Sequence, residues 1–253
     1  MAVPAVRRAP IRDGMNPPAG PPMKAPHLSF FRQASTVAWK DLRSELRTKE
    51  ALNASFAFAL VILLLFSIAF EPTEDETRQI SGGLLWLVFA FAGALILNRS
   101  FARELANDCL DALIAAPMSG AALFLGKTLA NFVLLSAVEF VCLPVFGVLY
   151  NVSWTHQFWP LAGVIALGTW GLTVVGTVFS ALTVNLRLRE LMLPMLVYPI
   201  LIPCLLAAMQ LTGPLVLGDP YTAELSQMLR LLVAFDVIFS ALSLALIETV
   251  MVR

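Results

Sequence analysis

Six long apolar stretches, separated by short polar segments, dominate the pattern of this chain. Each stretch is long enough to cross a bilayer, because a helix rises about 1.5 Å per residue and the hydrocarbon core is about 30 Å thick. The pattern predicts an all-α fold, a polytopic integral membrane bundle of six transmembrane helices. The predicted spans are Ala51–Phe70, Ile80–Leu97, Leu129–Tyr150, Phe158–Val184, Leu191–Leu211 and Leu229–Val252.

An amphipathic helix is predicted over residues 35–50, just before the first span. Its apolar and cationic residues form parallel stripes, as in a helix that lies flat on an anionic membrane surface. An ordinary basic segment beside the membrane is the alternative interpretation. The apolar stripe holds Trp39, Leu42 and Leu46, and the cationic stripe holds Lys40, Arg43 and Arg47.

The cations are distributed unevenly between the two sides of the predicted bundle. Fifteen of the 17 Lys and Arg residues fall on the side that holds both termini, and two, Arg78 and Arg230, fall on the other. Segments rich in Lys and Arg remain in the cytoplasm. Both termini are therefore predicted to be cytoplasmic.

The start of the chain differs in composition from the rest. Seven prolines and four scattered cations fall within residues 1–28, and such a segment cannot bury a core. We predict a disordered, proline-rich cytoplasmic tail over residues 1–30 and a six-helix transmembrane domain over residues 31–253.

Composition and motifs exclude most soluble functions. The chain is 58% hydrophobic and 13% charged, whereas soluble domains carry about 25% charged residues. Its net charge of zero provides no general attraction to nucleic acid. The sequence contains no GxxxxGKS/T, HExxH or GxSxG motif. We therefore expect a non-catalytic membrane subunit without a metal site or a Walker-type nucleotide site.

The segment 98–128, between the second and third spans, is the longest polar insertion. Residues 99–116 have helical periodicity, with apolar residues on one face and an acidic stripe on another. Such a helix suits docking of a partner protein; the alternative is a solvated loop helix. The turn 185–190 is either a second contact or a cationic anchor. The candidate docking residues are Arg99, Phe101, Arg103, Glu104, Asp108, Asp111, Leu113, Arg187 and Arg189.

Two spans contain residues that influence helix geometry. The fifth span is predicted to kink or break at its prolines, because each proline removes a backbone donor. The fourth span is predicted to pack closely on its neighbours through small residues. The residues concerned are Pro194, Pro199 and Pro203 in the fifth span and Gly163, Gly168, Gly171 and Gly176 in the fourth.

Two carboxylates lie inside predicted spans. Glu139 lies near the centre of the third span and Asp236 in the outer third of the sixth. A charge at mid-bilayer costs about 2.5–3.5 kcal/mol on insertion scales, so such residues face a bundle interior or a cavity. They are candidates for lining a translocation pathway or for binding a proton. The alternative is a neutral or internally paired carboxyl that holds helices together.

His156 lies between Trp154 and Trp159 in the loop after the third span. This setting suggests a haem ligand, but an aromatic belt at the membrane interface explains it better. The other histidine, His27, is predicted on the opposite side, so one chain does not supply two histidine ligands to one haem. We expect no cofactor bound by this chain itself.

Two stretches of the chain carry a family resemblance. Residues 97–104, followed by residues 107–113, form the first, and residues 181–187, followed by residues 193–203, form the second. They resemble the cytoplasmic connection and the proline-rich helix of the haem exporter protein B family (CcmB) of cytochrome c maturation. The matching positions in and just after the first stretch are Phe101, Glu104, Leu110, Leu113, Pro117 and Lys127, and the departures are Asn98, Asp108, Cys109 and Asp111.

The resemblance implies a transmembrane permease subunit of an ABC-type complex for cytochrome c biogenesis in the bacterial inner membrane. A separate cytoplasmic ATP-binding subunit would dock on residues 99–116 and on the turn 185–190, with two copies of each subunit. Other implied partners are a haem-handling membrane protein, a small single-span protein and a periplasmic haem chaperone. ATP hydrolysis by the partner would be coupled to haem delivery or to release of the haem-loaded chaperone, with haem as cargo.

Two other functions are compatible with the same pattern. ABC-2-type exporter permeases for lipid, glycan or drug share this topology. A non-transporting membrane scaffold also needs six spans and a docking surface, but it does not depend on ATP hydrolysis.

Overall fold

The computed structural model describes residues 29–70, 75–102, 118–152, 154–183, 186, 188–219 and 222–251. Within these ranges the chain forms seven α-helices and no strand. Residues 1–28 of the predicted tail lie outside the described ranges. The helices are α1 (Phe30–Thr48), α2 (Glu50–Ala69), α3 (Asp75–Ser100), α4 (Gly120–Leu149), α5 (Phe158–Thr183), α6 (Arg189–Leu217) and α7 (Ala223–Met251).

Helices α2 to α7 are each long and apolar enough to cross a membrane. This result confirms the predicted all-α class and the six spans, although several boundaries differ. α6 ends at Leu217 rather than Leu211. α4 begins at Gly120 rather than Leu129, because Ser119 caps it by accepting a hydrogen bond from the Ala122 amide at 3.2 Å. α7 begins at Ala223 rather than Leu229. Asp236 therefore lies near the middle of its helix, and its predicted position in an outer third is wrong.

The predicted amphipathic helix is present as α1, which lies against α4. Ala34 and Val37 are buried at this contact, and a Cβ at Gly126 of α4 would lie 2.6 Å from the Ala34 carbonyl oxygen. A glycine at this position permits the close approach. α1, the C-terminus of α3 and the N-terminus of α4 mark one end of the bundle, which we call the α1 end.

The predicted apolar stripe of α1 faces away from the protein. Trp39 is 65% exposed and Leu46 is 57% exposed, whereas Leu42 is partly buried against the core. Small residues on another face make the contact with α4 instead, because their size lets the two helix backbones approach. The exposed stripe is thus available to the membrane surface.

Proline does not break α6. The helix is continuous from Arg189 to Leu217 through Pro194, Pro199, Pro203 and Pro214, so the predicted break is wrong. α6 packs against α3, α5 and α7. Prolines are tolerated in membrane helices where neighbouring helices and local adjustments satisfy the freed backbone groups.

α3 and α5 are the most enclosed spans, and glycine determines how they pack. The Trp86 ring of α3 lies directly over Gly168 of α5, and its Nε1 donates a hydrogen bond to Thr212 Oγ1 of α6 at 2.8 Å. The side chain of Leu97 of α3 covers Gly176 in the same way, whereas Gly163 has open space around it. The predicted close packing of this span is confirmed at Gly168 and Gly176.

Gly168→Ala is expected to lower the free energy of unfolding by about 1–3 kcal/mol, because the added methyl group overlaps the hydrogen-bonded Trp86 ring. Gly163→Ala is the matched control, and its open surroundings predict unchanged or slightly raised stability. Thermal unfolding in detergent, followed by a dye that reacts with the buried thiols of Cys142 and Cys204, measures both variants. Equal melting temperatures for the two variants would contradict the prediction.

Candidate functional site

A buried lysine joins three helices at the α1 end. Lys127 of α4 is 0% exposed, and its Nζ donates hydrogen bonds to Asp41 Oδ2 of α1 at 3.0 Å and to the Ser100 carbonyl oxygen of α3 at 2.9 Å. The same Nζ lies 4.7 Å from the centroid of the Phe101 ring. A buried ammonium group requires partners of this kind. Lys127 therefore fixes the point at which α3 ends.

Further hydrogen bonds tie α3, α4 and α5 together beside Lys127. Asn131 of α4 donates through Nδ2 to Ser100 Oγ at 3.0 Å and to Thr177 Oγ1 of α5 at 2.9 Å. Ser180 of α5 donates through Oγ to the Leu97 carbonyl oxygen of α3 at 2.8 Å. These contacts hold the three helix ends in one arrangement.

Glu45 ties α1 to α2. Its Oε1 accepts hydrogen bonds from the amides of Ala51 at 2.8 Å and Leu52 at 3.0 Å. A carboxylate is stabilised at a helix N-terminus because it meets unpaired amides and the positive end of the helix dipole. Between the two helices, Lys49 adopts the left-handed conformation with φ of 54°. The orientation of α1 is thus coupled to that of the first span.

The segment between α3 and α4, residues 101–119, is called the connector. At its first end the Phe101 ring lies against Lys127 of α4, which in turn binds Asp41 of α1. At its second end the Ser119 amide donates directly to Gln33 Oε1 of α1 at 3.4 Å. Residues 103–117 lie outside the described ranges. The second end of the connector is therefore bonded directly to α1, and the first end is linked to α1 through Lys127 of α4.

Most of the predicted docking residues fall outside the described side chains, so the docking surface stays a prediction. Arg189 is the first residue of α6, and its side chain is among those not described. The others are Arg103, Glu104, Asp108, Asp111, Leu113 and Arg187.

Arg99 and Phe101 are the described members of the predicted docking set. Arg99 Nη1 lies 2.6 Å from Glu50 Oε2 of α2, and both side chains remain substantially exposed. Phe101 is 1% exposed and lies against Lys127. Arg99 thus presents a charge at the surface, whereas Phe101 supports the connector from within the bundle.

A cavity of about 200 Å³ opens at the α1 end between α1, α3 and α4. Polar groups contribute much of its lining, so water can occupy it. Its polar and charged lining residues are Lys40, Asp41, Ser44, Glu45, Arg99, Ser100 and Asn131.

Glu139 is buried in the interior of the bundle, at 2% exposure. The Thr169 hydroxyl of α5 donates to this carboxyl group, with Oγ1 lying 2.6 and 2.8 Å from its two oxygens. Glu139 also borders a mostly apolar cavity of about 200 Å³ between α4 and α5, which extends to Phe158. The residue predicted to line a pathway thus lies between a hydroxyl group and a cavity.

Asp236 of α7 is buried separately, at 6% exposure, and neither of its carboxyl oxygens has a hydrogen-bond partner in the described part of the chain. Its Oδ1 would lie 2.6 Å from a Cβ at Gly171 of α5, and the Cys204 sulfur lies beside the same point. Gly171 and Thr169 point about 200° apart around α5. The two buried carboxyl groups therefore do not form one site.

His156 occupies an exposed turn before α5, and the neighbouring Trp159 is also exposed. This arrangement matches an aromatic belt at a membrane interface. His27 lies outside the described ranges. Among the residues that the structure describes, no group of three or more His, Cys, Asp or Glu side chains is placed to hold a metal ion.

Several polar partners were missed by sequence reasoning. Asn131, Thr169 and Thr177 looked like ordinary residues of apolar helices. Lys127 stood out as a cation in an apolar pattern and as a match to a family pattern, but its partners were not predicted. A cation within an apolar helical pattern was a usable signal, because such a residue must find partners in the protein. The four-residue spacing of Thr169, Thr173 and Thr177 was also readable as one helix face.

Comparison with known proteins gives consistent matches over most of the chain. The model of the CcmB protein family matches residues 32–249. "Heme exporter protein B" of Rhodobacter capsulatus is 32% identical over 172 residues, which cover 68% of this chain and 78% of the relative. The protein of the same name from Paracoccus denitrificans is 30% identical over 185 residues, covering 73% of this chain and 84% of the relative. The protein of the same name from Escherichia coli K12 is 28% identical over 198 residues, which cover 76% of this chain and 90% of the relative.

Proposed function

The chain belongs to the CcmB protein family, and from this premise we propose that it is the transmembrane permease subunit of an ABC-type complex in cytochrome c biogenesis. It couples ATP hydrolysis by a separate subunit to haem delivery or to release of a haem-loaded chaperone. Haem is cargo of the complex, as the name of the relatives suggests. The chain itself is a transport component and not an enzyme.

The proposed orientation places the α1 end in the cytoplasm of a bacterial inner membrane. The excess of Lys and Arg on that side supports this orientation. The connector, residues 101–119, then lies in the compartment that supplies ATP. The loops before α3, α5 and α7 face the periplasm, where a haem chaperone operates.

The linkage of both connector ends to α1, one directly and the other through Lys127 of α4, is the observation that best supports a mechanical role. The Phe101 end is tied through Lys127 to Asp41, and the Ser119 end is tied to Gln33. Movement of the connector is therefore passed to α1, α3 and α4 together. Closure of an ATP-binding subunit against this segment tilts the spans in response.

The proposed partners follow from the family. A cytoplasmic ATP-binding subunit docks on residues 99–116 and on the turn 185–190, and a second copy of this chain completes the pathway between two such subunits. A haem-handling membrane protein and a periplasmic haem chaperone receive the cargo. Arg99 supplies an exposed cation at the edge of the docking surface.

The double charge reversal Glu104→Lys and Asp111→Lys is expected to reduce copurification of the ATP-binding subunit by about tenfold or more, because like charges then meet across the interface. Holocytochrome c levels are expected to fall in parallel. Glu74→Lys with Asp75→Lys is the matched control, since it makes the same charge change on the opposite side of the membrane. Unchanged copurification and unchanged holocytochrome c in the first variant would reject the docking role.

A variant of the ATP-binding subunit that binds ATP but does not hydrolyse it distinguishes the proposed permease from a non-transporting scaffold. A permease coupled to hydrolysis loses holocytochrome c formation with the inactive partner, although the complex still assembles. A scaffold retains full holocytochrome c formation. Holocytochrome c is measured in cells that carry the inactive partner as their only copy.

A further inference from the structure

We propose that the outward side of α1 is a binding surface for acidic phospholipids of the leaflet at the α1 end, and that their headgroups bind Arg32, Arg43 and Arg47. The inference goes beyond the function proposed above, because it assigns a lipid ligand to this chain alone. It depends on neither the cargo nor the ATP-binding subunit.

α1 has three distinct faces, since successive residues of a helix are rotated by about 100°. Ala34 and Val37 mark the buried face. An apolar stripe lies about 100° around the helix from this face, and a cationic stripe lies about 90° further around. The two outward stripes adjoin along α1, so a surface that takes up the apolar stripe meets the cations at its edge. The apolar stripe holds Phe31, Trp39, Leu42 and Leu46, and the cationic stripe holds Arg32, Arg43 and Arg47.

The apolar stripe is too exposed to belong to the core of this chain. Phe31 is 77% exposed, Trp39 65% and Leu46 57%. Interfacial helices bury side chains of this kind about 5–10 Å deep, at the boundary between headgroups and acyl chains. The arginines of the adjoining stripe then lie at the level of the lipid phosphates.

The charged groups of α1 are sorted by sign between its inner and outer sides. Both of its carboxylates are used within the protein: Asp41 binds Lys127, and Glu45 accepts hydrogen bonds from the first amides of α2. The three arginines of the cationic stripe are exposed, and no carboxylate of the described ranges forms an ion pair with them. The outward side of α1 therefore carries uncompensated positive charge, which is complementary to acidic headgroups.

The position of α1 in the chain identifies the bilayer as the occupant of this surface. α2 has 20 residues, so it needs its full length of about 30 Å to cross the hydrocarbon core. Its first residue, Glu50, therefore lies at the membrane boundary. α1 ends at Thr48, only one residue earlier, and the hydrogen bonds of Glu45 fix its end against α2. The outward stripes thus continue the lipid-facing surface of the first span.

Arginine is well suited to bind a lipid phosphate at this level. Its planar guanidinium group donates two parallel hydrogen bonds to phosphate oxygens. Its carbon chain lies along apolar groups while the charged end stays at the polar surface. A zwitterionic headgroup also offers a phosphate, but its own cation offsets the negative charge. The three arginines therefore select acidic lipids over zwitterionic ones.

Quenching of Trp39 fluorescence in lipid nanodiscs tests the surface. One sample holds phosphatidylglycerol with brominated acyl chains in unlabelled phosphatidylcholine, and the other holds the same fraction of brominated phosphatidylcholine in unlabelled phosphatidylglycerol. Subtracting the signal of Trp39→Phe isolates Trp39 from the other four tryptophans. Brominated phosphatidylglycerol is expected to quench Trp39 as if it were enriched about fivefold near α1. Equal quenching by the two lipids, or quenching by neither, would overturn the proposal.

A triple variant tests the arginines themselves. Arg32→Gln, Arg43→Gln and Arg47→Gln together are expected to abolish the enrichment, while the apolar stripe still keeps Trp39 within reach of both brominated lipids. Arg230→Gln is the matched control, because it makes the same change at an exposed cation of α7 at the other end of the bundle, and it is expected to retain the enrichment. An enrichment that survives in the triple variant refutes the assignment to these arginines. Equal quenching in the unmodified chain, with loss of the copurified ATP-binding subunit in the triple variant, would assign the stripe to that subunit instead.

Discussion

Asp41→Ala is expected to lower the free energy of unfolding by about 3 kcal/mol, because it leaves the ammonium group of Lys127 buried without its carboxylate. Lys127 has no exposed surface, and Asp41 Oδ2 accepts a hydrogen bond from its Nζ at 3.0 Å, so the substitution removes a carboxylate from a fully buried ammonium group. The expected value is at the lower end for a broken buried pair, since the Asp41 side chain retains 18% exposure and part of the interaction is screened. Thermal unfolding in detergent with a thiol-reactive dye measures the loss.

Two further variants separate the buried charge from the rest of the site. Asp41→Leu combined with Lys127→Met is expected to recover most of the lost stability, because an apolar pair of similar volume removes the uncompensated charge. Glu50→Ala breaks the exposed pair with Arg99 and is expected to change stability by at most about 1 kcal/mol. If Asp41→Ala lowers the free energy of unfolding by no more than Glu50→Ala does, then Asp41 does not stabilise the buried lysine, contrary to the structure.

Trp86→Ala is expected to destabilise the bundle by about 3–5 kcal/mol, the range for removing a large aromatic side chain from a core. Trp86 is almost completely buried, and it connects α3 to α5 at Gly168 and to α6 at Thr212. Its ring also makes an edge-to-face contact with Phe89, with centroids 5.7 Å apart. The variant loses all three contacts at once and leaves a cavity.

Trp159→Ala is the matched control for Trp86→Ala. It removes the same side chain from a position that is 82% exposed. We expect its melting temperature to stay close to that of the unmodified chain, whereas that of Trp86→Ala falls clearly. Trp86→Phe should lie between them, since it retains a ring but loses the hydrogen bond to Thr212. A melting temperature of Trp86→Ala equal to that of Trp159→Ala would be incompatible with the packing described above.

The spans and the amphipathic helix were predictable from the sequence, but their finer geometry was not. The span in α4 was placed from Leu129, but the apolar pattern resumes at Gly120 and an early start of this helix was readable from it. Ser119 caps the helix, which begins at Gly120. The prolines of α6 predicted a kink or a break, but the helix is continuous through all four of them and packs against α3, α5 and α7. The start of α4 is thus set by a local cap, whereas the continuity of α6 is visible only in the structure.

The candidate site was predictable only in part. Glu139 and Asp236 stood out because carboxyl groups are rare in apolar helices, and both are buried as that rarity suggests. Their partners did not stand out, since a threonine or an asparagine in a membrane helix is unremarkable until its neighbour is known. Thr169 and Asn131 acquire a role only through Glu139 and Thr177 on the adjoining helix.

The sequence by itself determined the class of the fold, the number of spans, the presence of α1 and the family to which the chain belongs. These properties depend on the length and periodicity of apolar runs and on short motifs, all of which are local along the chain. The tertiary structure alone decided which polar groups meet. Lys127 and Asp41 are 86 positions apart, Asn131 and Thr177 are 46 apart, and Trp86 and Thr212 are 126 apart. Such pairs form only when the helices pack, because one-dimensional periodicity specifies the face of a helix but not the neighbour that covers it.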